Sequence, residues 1–158
     1  MALFGRFQMI NKILVPLDGS EFAERVLPFA QELGAKLNAQ LMLLWVLHPL
    51  IVMSDYDNES YRNLAAQEEI EAGSYLQARR EELEEAGLKV NMTLLEGHVA
   101  DAIVDMACQE EVDLIMMSTH GRSGPDRWIH GSVATKVLQQ APCPVFLVGK
   151  QNDGCQKT

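Results

Sequence analysis

This sequence predicts an α/β fold: an open five-stranded parallel sheet of order 3-2-1-4-5 with helices on both faces. Three observations carry the prediction. Short apolar runs and longer amphipathic stretches alternate strictly along the chain, and parallel strands require such crossovers. Several of the runs are apolar nearly throughout, as strands covered on both faces should be. The two least regular loops, "PLDGS" and "STHGRSG", follow the first and fourth runs. In this order the connections reverse direction between those strands, and ligands bind beyond the carboxyl ends there.

The elements follow in order. "KILVPL" (12–17) is a strand rich in branched residues, ending at "DGS". From Ser20, a plausible helix cap, Phe22, Val26, Ala30, Leu33 and Leu37 recur at helical spacing. Pro28 inside that pattern removes a helix hydrogen bond and predicts a kink or a shifted start. "AQLMLLWVL" is the second strand, and "HPLIVMSDYDN" a loop. A long helix spans Glu59 to Ala86, with Tyr61, Leu64, Ala72, Tyr75, Leu76 and Leu83 on one face and Gly87 as its stop. "LKVNMTLLEG" alternates as the third strand. "HVADAIVDMACQEE" is a helix with Val99, Ile103 and Ala107 four apart. "VDLIMMS", "SVATKVLQQA" and "CPVFLVG" complete the fold as strand, helix and strand.

At 158 residues the chain is expected to be one domain, with a core near 11–150, an N-terminal extension 1–10 and a flexible tail 151–158. A net charge of −9 argues against nucleic acid and anionic membranes, which demand a basic face. Cys108, Cys143 and Cys155 form neither a metal pattern nor an even disulfide set, which points to a reducing, cytoplasmic setting. No apolar run approaches a membrane span, and "MALFGRFQM" lacks a signal-peptide core.

The loop after the fourth strand suits a phosphate. Gly121, Gly124 and Gly131 allow close backbone approach or a positive φ. Amides at Gly131, Ser132 and Val133 would open a helix, whose unpaired N–H groups and dipole attract anions. Ser132 adds a hydroxyl, and Arg122 and Arg127 add charge. Neither GxxxxGK[ST] nor a GxGxxG after the first strand is present. On these residues alone, a plain surface turn is an equal reading.

From about Asn11 to Lys150 the chain resembles the universal stress protein family, ATP-binding type. "KILVPLDGSEFAERVLPFA", "LMLLWVLHP" and "EGHVADAIVDMA" look like its opening segments, in order. "STHGRSGPDRWIHGSVATKVLQQAPCPVFLV" is similar to the closing block with which members hold ATP. That block reads Gly, two residues, Gly, nine residues, Gly, then Ser or Thr. Gly121, Gly131 and Ser132 match it, whereas Ser118 replaces the first glycine. A serine there is strained at positive φ, and tolerated if φ stays negative with its hydroxyl turned to the ligand or back to the chain.

The resemblance implies a Rossmann-like, adenine nucleotide alpha hydrolase-like fold. It also implies an ATP site at Pro16, Asp18, Val46, Ser118, Gly121, Arg122, Gly131, Ser132 and Val133. Asp18 would meet ribose or adenine, Pro16 and Val46 would line the base, and the last five would receive the phosphates. Mg2+ would accompany the nucleotide, and the last strand would pair two copies into a homodimer. The implied function is a stress-response regulatory module that binds ATP. A slow ATPase and a dimeric interaction protein without nucleotide are the alternatives. No residue stands out to orient a hydrolytic water, which speaks against efficient turnover. His120 and His130 read as polar loop residues, and Cys143 as a packed residue. Trp128 divides evenly between covering a ligand or partner and packing in a helix.

Overall fold

The computed structural model describes residues 9–49, 58–120 and 131–149. Strands β1 (Lys12–Pro16), β2 (Gln40–Leu47), β3 (Lys89–Glu96), β4 (Leu114–Ser118) and β5 (Val145–Val148) form one sheet of order β3-β2-β1-β4-β5. Every pairing in it is parallel. The predicted order is therefore the observed one. The helices are α1 (Glu21–Glu24), α2 (Leu27–Leu37), α3 (Asn58–Glu85), α4 (Val99–Gln109) and α5 (Ser132–Gln140).

Strand periodicity divides the core in two. Ile13, Val15, Leu41, Leu43, Trp45 and Met116 point to the face covered by α2 and α3. Their neighbours Leu14, Met42, Leu44, Val46, Ile115 and Met117 point to the face covered by α4 and α5. Successive side chains leave a strand on opposite sides, so a strand covered twice must be apolar at every position. Ile13, Leu14, Leu43 and Ile115 are fully buried, each stabilising the fold by about 1.5–3 kcal/mol.

Pro28 shifts the start. Its ring would strike the carbonyl four residues earlier in a continuous helix, and α1 ends at that residue, Glu24. The chain turns through Arg25 and Val26 and begins α2 with Pro28 in the first turn, where no amide is needed.

The predicted face of α3 is only half a core face. Ala72, Leu76 and Leu83 are buried, while Tyr61 and Leu64 are 61% and 66% exposed. The 28 residues of α3 extend about 42 Å, whereas the 8 residues of β3 beneath them extend about 26 Å. The first turns of the helix therefore overhang the carboxyl edge of the sheet. Gly87 ends the element as expected, at φ +88, with its amide donating to the Glu84 carbonyl. Among the described residues no helix is long and apolar enough to cross a membrane.

Candidate functional site

The carboxyl ends of β2, β1 and β4 open onto one hollow of about 380 Å3, bordered by the first turn of α5, by α4 and by α3. It takes in Pro16, Asp18, Val46, Ser118, Gly131, Ser132 and Val133 together. Gly121 and Arg122, with Gly124, Arg127, Trp128 and His130, lie outside the described residues.

Asp18 enters from the end of β1. Gly19 follows at φ +77, a turn that glycine makes without the clash a β-carbon brings. The turn brings the Ser20 amide to Asp18 Oδ1 at 2.9 Å. Ser20 Oγ in turn accepts from the Ala23 amide at 3.1 Å and caps α1. The carboxylate is thus oriented by its own turn before any ligand arrives.

Ser118 closes β4 in extended pairing with Val148. It is buried, and its hydroxyl donates to the His120 carbonyl. The serine thus turns back to the chain, and its strand geometry asks for no positive φ. Gly131 precedes α5 as its N-cap at φ −62, equally ordinary. Its need for glycine is spatial. Its amide donates to the Thr119 carbonyl at 2.8 Å, and a β-carbon there would sit 2.7 Å from that oxygen. With no capping side chain on Gly131, the first-turn amides of Ser132, Val133 and Ala134 have no partner within the helix. They border the hollow, and the helix dipole adds partial positive charge there.

The opposite end is apolar and acidic. Val46, Val99 and Met117 provide a wall on which a flat ring could rest, with fully buried Leu44 and Ile103 packed behind it. Glu68 of α3 and His48, just after β2, stand at the border, 3.7 Å apart. On the other face of the sheet Trp45 meets Tyr75 edge-on, with ring centroids 5.5 Å apart. The Tyr75 hydroxyl donates to Glu24 Oε1 at 2.9 Å, and Arg79 lies 3.6 Å from the same oxygen. Burial first, then the Glu24 carboxylate, pushes the Tyr75 phenol well above the ordinary tyrosine range. Burial likewise raises the Cys143 thiol above the ordinary cysteine range.

Sequence reasoning did not single out Glu68, Thr119 or the α4 residues Val99 and Ile103 as wall residues. Val99 and Ile103 carried only a helix-face signal. Glu68 had none, because its place depends on how far α3 overhangs the sheet. Thr119 and His120 sat inside the loop already under suspicion.

Residues 9–149 match the profile of the universal stress protein family. Universal stress protein MJ0531 of Methanocaldococcus jannaschii is 30% identical over 142 residues, 90% of this chain and 84% of that protein. The solved structure of MJ0577, from the same organism, superposes with a TM-score of 0.83 at 30% identity. That match covers 92% of this chain and 99% of that one. A universal stress protein of Archaeoglobus fulgidus, solved in complex with dAMP, gives 0.65 at 25% identity, covering 89% and 98%.

Proposed function

The chain belongs to the universal stress protein family, and from that premise we propose that it binds ATP across the carboxyl ends of β1 and β4 as a stress-response regulatory module. One observation carries the reading: Asp18, Val46 and the first turn of α5 border a single hollow. The base would rest on Val46 and Pro16, the ribose would meet Asp18, and the phosphates would reach the amides of Gly131 to Val133. Gly121 and Arg122 would complete the phosphate end. Anions are stabilised at a helix N-terminus by unpaired amides and the dipole together, and apolar walls with a few placed polar groups suit a nucleotide base. The complex of the Archaeoglobus relative with dAMP supports an adenine nucleotide as the ligand class.

Among the described residues no cluster of His, Cys, Asp and Glu could hold a metal ion. Mg2+ accompanying the nucleotide would be held by phosphate oxygens and water. Regulation then requires ATP to favour one conformational or assembly state over another. The assembly we propose is a homodimer through β5, an edge strand carrying half-exposed Phe146 against Phe29 of α2, with ring centroids 5.7 Å apart. We place the protein in the cytoplasm, where Cys108 and Cys143 stay free thiols.

The test is mass spectrometry of nucleotide released from purified, denatured protein, with calorimetric titration of ATP and Mg2+. Co-purified adenine nucleotide and saturable heat are expected. Neither appearing would overturn the reading and favour an interaction protein without nucleotide. Sedimentation with and without ATP tests the dimer.

A further inference from the structure

We propose that Tyr75, acting through Glu24, is a positioning residue for the sugar end of the nucleotide site: from α3 it holds α1 in place, and with α1 the turn at Asp18. The inference rests on the nucleotide reading above and deepens it, giving a role in binding to a polar contact that touches no ligand.

A helix as short as α1 cannot set its own position. Its four residues, Glu21–Glu24, fall far below the roughly 12–15 at which an isolated helix is even marginally stable. Toward the site it is joined to Asp18 through its cap. The Ser20 amide donates to Asp18 Oδ1 at 2.9 Å, Ser20 Oγ accepts from the Ala23 amide at 3.1 Å, and the Ser20 carbonyl accepts from the Glu24 amide at 3.1 Å. Toward the core its one buried side chain is Ala23, which offers little surface to grip. Glu24 is the polar anchor. The Tyr75 hydroxyl donates to Glu24 Oε1 at 2.9 Å, and Arg79, one turn further along α3, brings Nη1 to 3.6 Å from the same oxygen.

Both partners on α3 are themselves fixed. The Tyr75 ring stands edge-on to Trp45 of β2. The Arg79 guanidinium lies 5.7 Å from the centre of the Tyr75 ring, and its Nη2 pairs with Glu82 at 2.8 Å. Side chains four apart share a helix face, so α3 presents a preformed pair of donors to α1. The path to the site is short. Burial raises the Tyr75 phenol most and Glu24 next, Arg79 opposes them, and Asp18 adds a last push upward, so its charge reaches the hydroxyl. Removing that hydroxyl keeps the ring against Trp45 but loosens α1, and the turn after β1 moves with it. The proposal concerns where this turn stands, whichever of its acceptors faces the sugar. A hydrogen bond to a sugar hydroxyl weakens steeply when misaligned, whereas the apolar wall and the first turn of α5 belong to other elements.

The experiment is calorimetric titration of the full chain with ATP and with dideoxy-ATP, which lacks both sugar hydroxyls, at one pH and one Mg2+ concentration. The proteins are the parent, Tyr75→Phe, Glu24→Ala and Glu24→Gln. The parent should prefer ATP by roughly tenfold, the worth of one well-aligned hydrogen bond. Tyr75→Phe and Glu24→Ala should cut that preference to about threefold or less while dideoxy-ATP stays within about twofold. Glu24→Gln, which keeps an acceptor for the phenol, should retain more of the preference. Equal losses for the two nucleotides would reveal a purely structural contact and overturn the assignment, as would an unchanged preference in both Tyr75→Phe and Glu24→Ala. A parent that binds the two nucleotides equally would also overturn it and leave the nucleotide reading standing. Should the parent bind neither, the nucleotide reading itself falls, and this assignment with it.

Discussion

Replacing Gly131 by alanine sets two effects of opposite sign against each other. Its φ of −62 and ψ of 157 are open to any residue, and alanine at a compatible site stabilises by about 0.4–1 kcal/mol through the unfolded chain. Against this stands the Thr119 carbonyl, 2.7 Å from the new β-carbon where ordinary contacts begin near 3.4 Å. About 0.7 Å must be found by moving main chain, and the obstacle is the oxygen that accepts the Gly131 amide. Overpacking against a backbone costs about 1–3 kcal/mol, and weakening the bond adds about 1 kcal/mol. The clash wins. For a chain of this size a net loss of about 1–3 kcal/mol lowers Tm by roughly 2–12 °C. Because the same shift moves the first-turn amides, ATP should weaken at least about tenfold, the equivalent of one charge-assisted hydrogen bond. Scanning calorimetry reads the first effect and isothermal titration the second. A Gly131→Ala protein as stable as the parent or more so, binding ATP equally, would refute the close-approach argument.

Tyr75→Phe should cost about 1 kcal/mol at neutral pH through the lost bond to Glu24. Because the folded phenol titrates above the unfolded value of 10.0, its contribution is intact below that pH and fades as pH rises through the higher folded value. The gap between parent and variant in urea melts should shrink in alkali; a constant gap would contradict the assignment. Leu76→Ala, at a fully buried site, should cost about 2–5 kcal/mol. Leu64→Ala on the overhanging turns should stay within about 0.5 kcal/mol, and comparable losses in denaturant titrations would mean α3 packs along its whole length. Lys136→Ala breaks the pair with Asp101 at 2.6 Å between α5 and α4. Both side chains are over two-fifths exposed, so the expected loss is at most about 1 kcal/mol and falls with salt. Ser118→Gly should lower stability by about 1–2 kcal/mol, from the hydroxyl bond and added backbone entropy, without tightening ATP; tighter binding would show that the serine obstructs the site.

Which features could be read from sequence depends on the range of the forces that set them. Strand and helix identities rest on periodicity within a few residues, and strict alternation leaves few topologies; the order 3-2-1-4-5 was one of these, and the family resemblance singled it out. Pro28 is a local matter too, and its two permitted outcomes, kink or shifted start, were both legible. Where the apolar face of α3 stops being a core face was not. Tyr61 and Leu64 obey the helical period as well as Leu76 does, and only the length of the neighbouring strand leaves them in solvent. The same limit hid Glu68. In contrast, Asp18 and Gly131 could be paired in thought, because sheets of this order bring the ends of their first and fourth strands side by side.

Ser118 and Gly131 occupy two positions that the motif writes with the same letter, but the physical demands on them differ. A strand end that keeps its pairing with β5 needs no special dihedral angle, so a β-carbon at 118 is accommodated. Its hydroxyl then takes over part of the work of shaping the turn, by holding the His120 carbonyl. Position 131 is also ordinary in its dihedral angles, yet there the helix must start in contact with another main chain, and a side chain of any kind stands in the way. At 131 glycine therefore answers a distance requirement, which is tied to the start of α5, whereas 118 imposes no dihedral one. A substitution that leaves that distance intact preserves the α5 end of the hollow, and on this ground the departure at 118 does not weaken the case for a nucleotide.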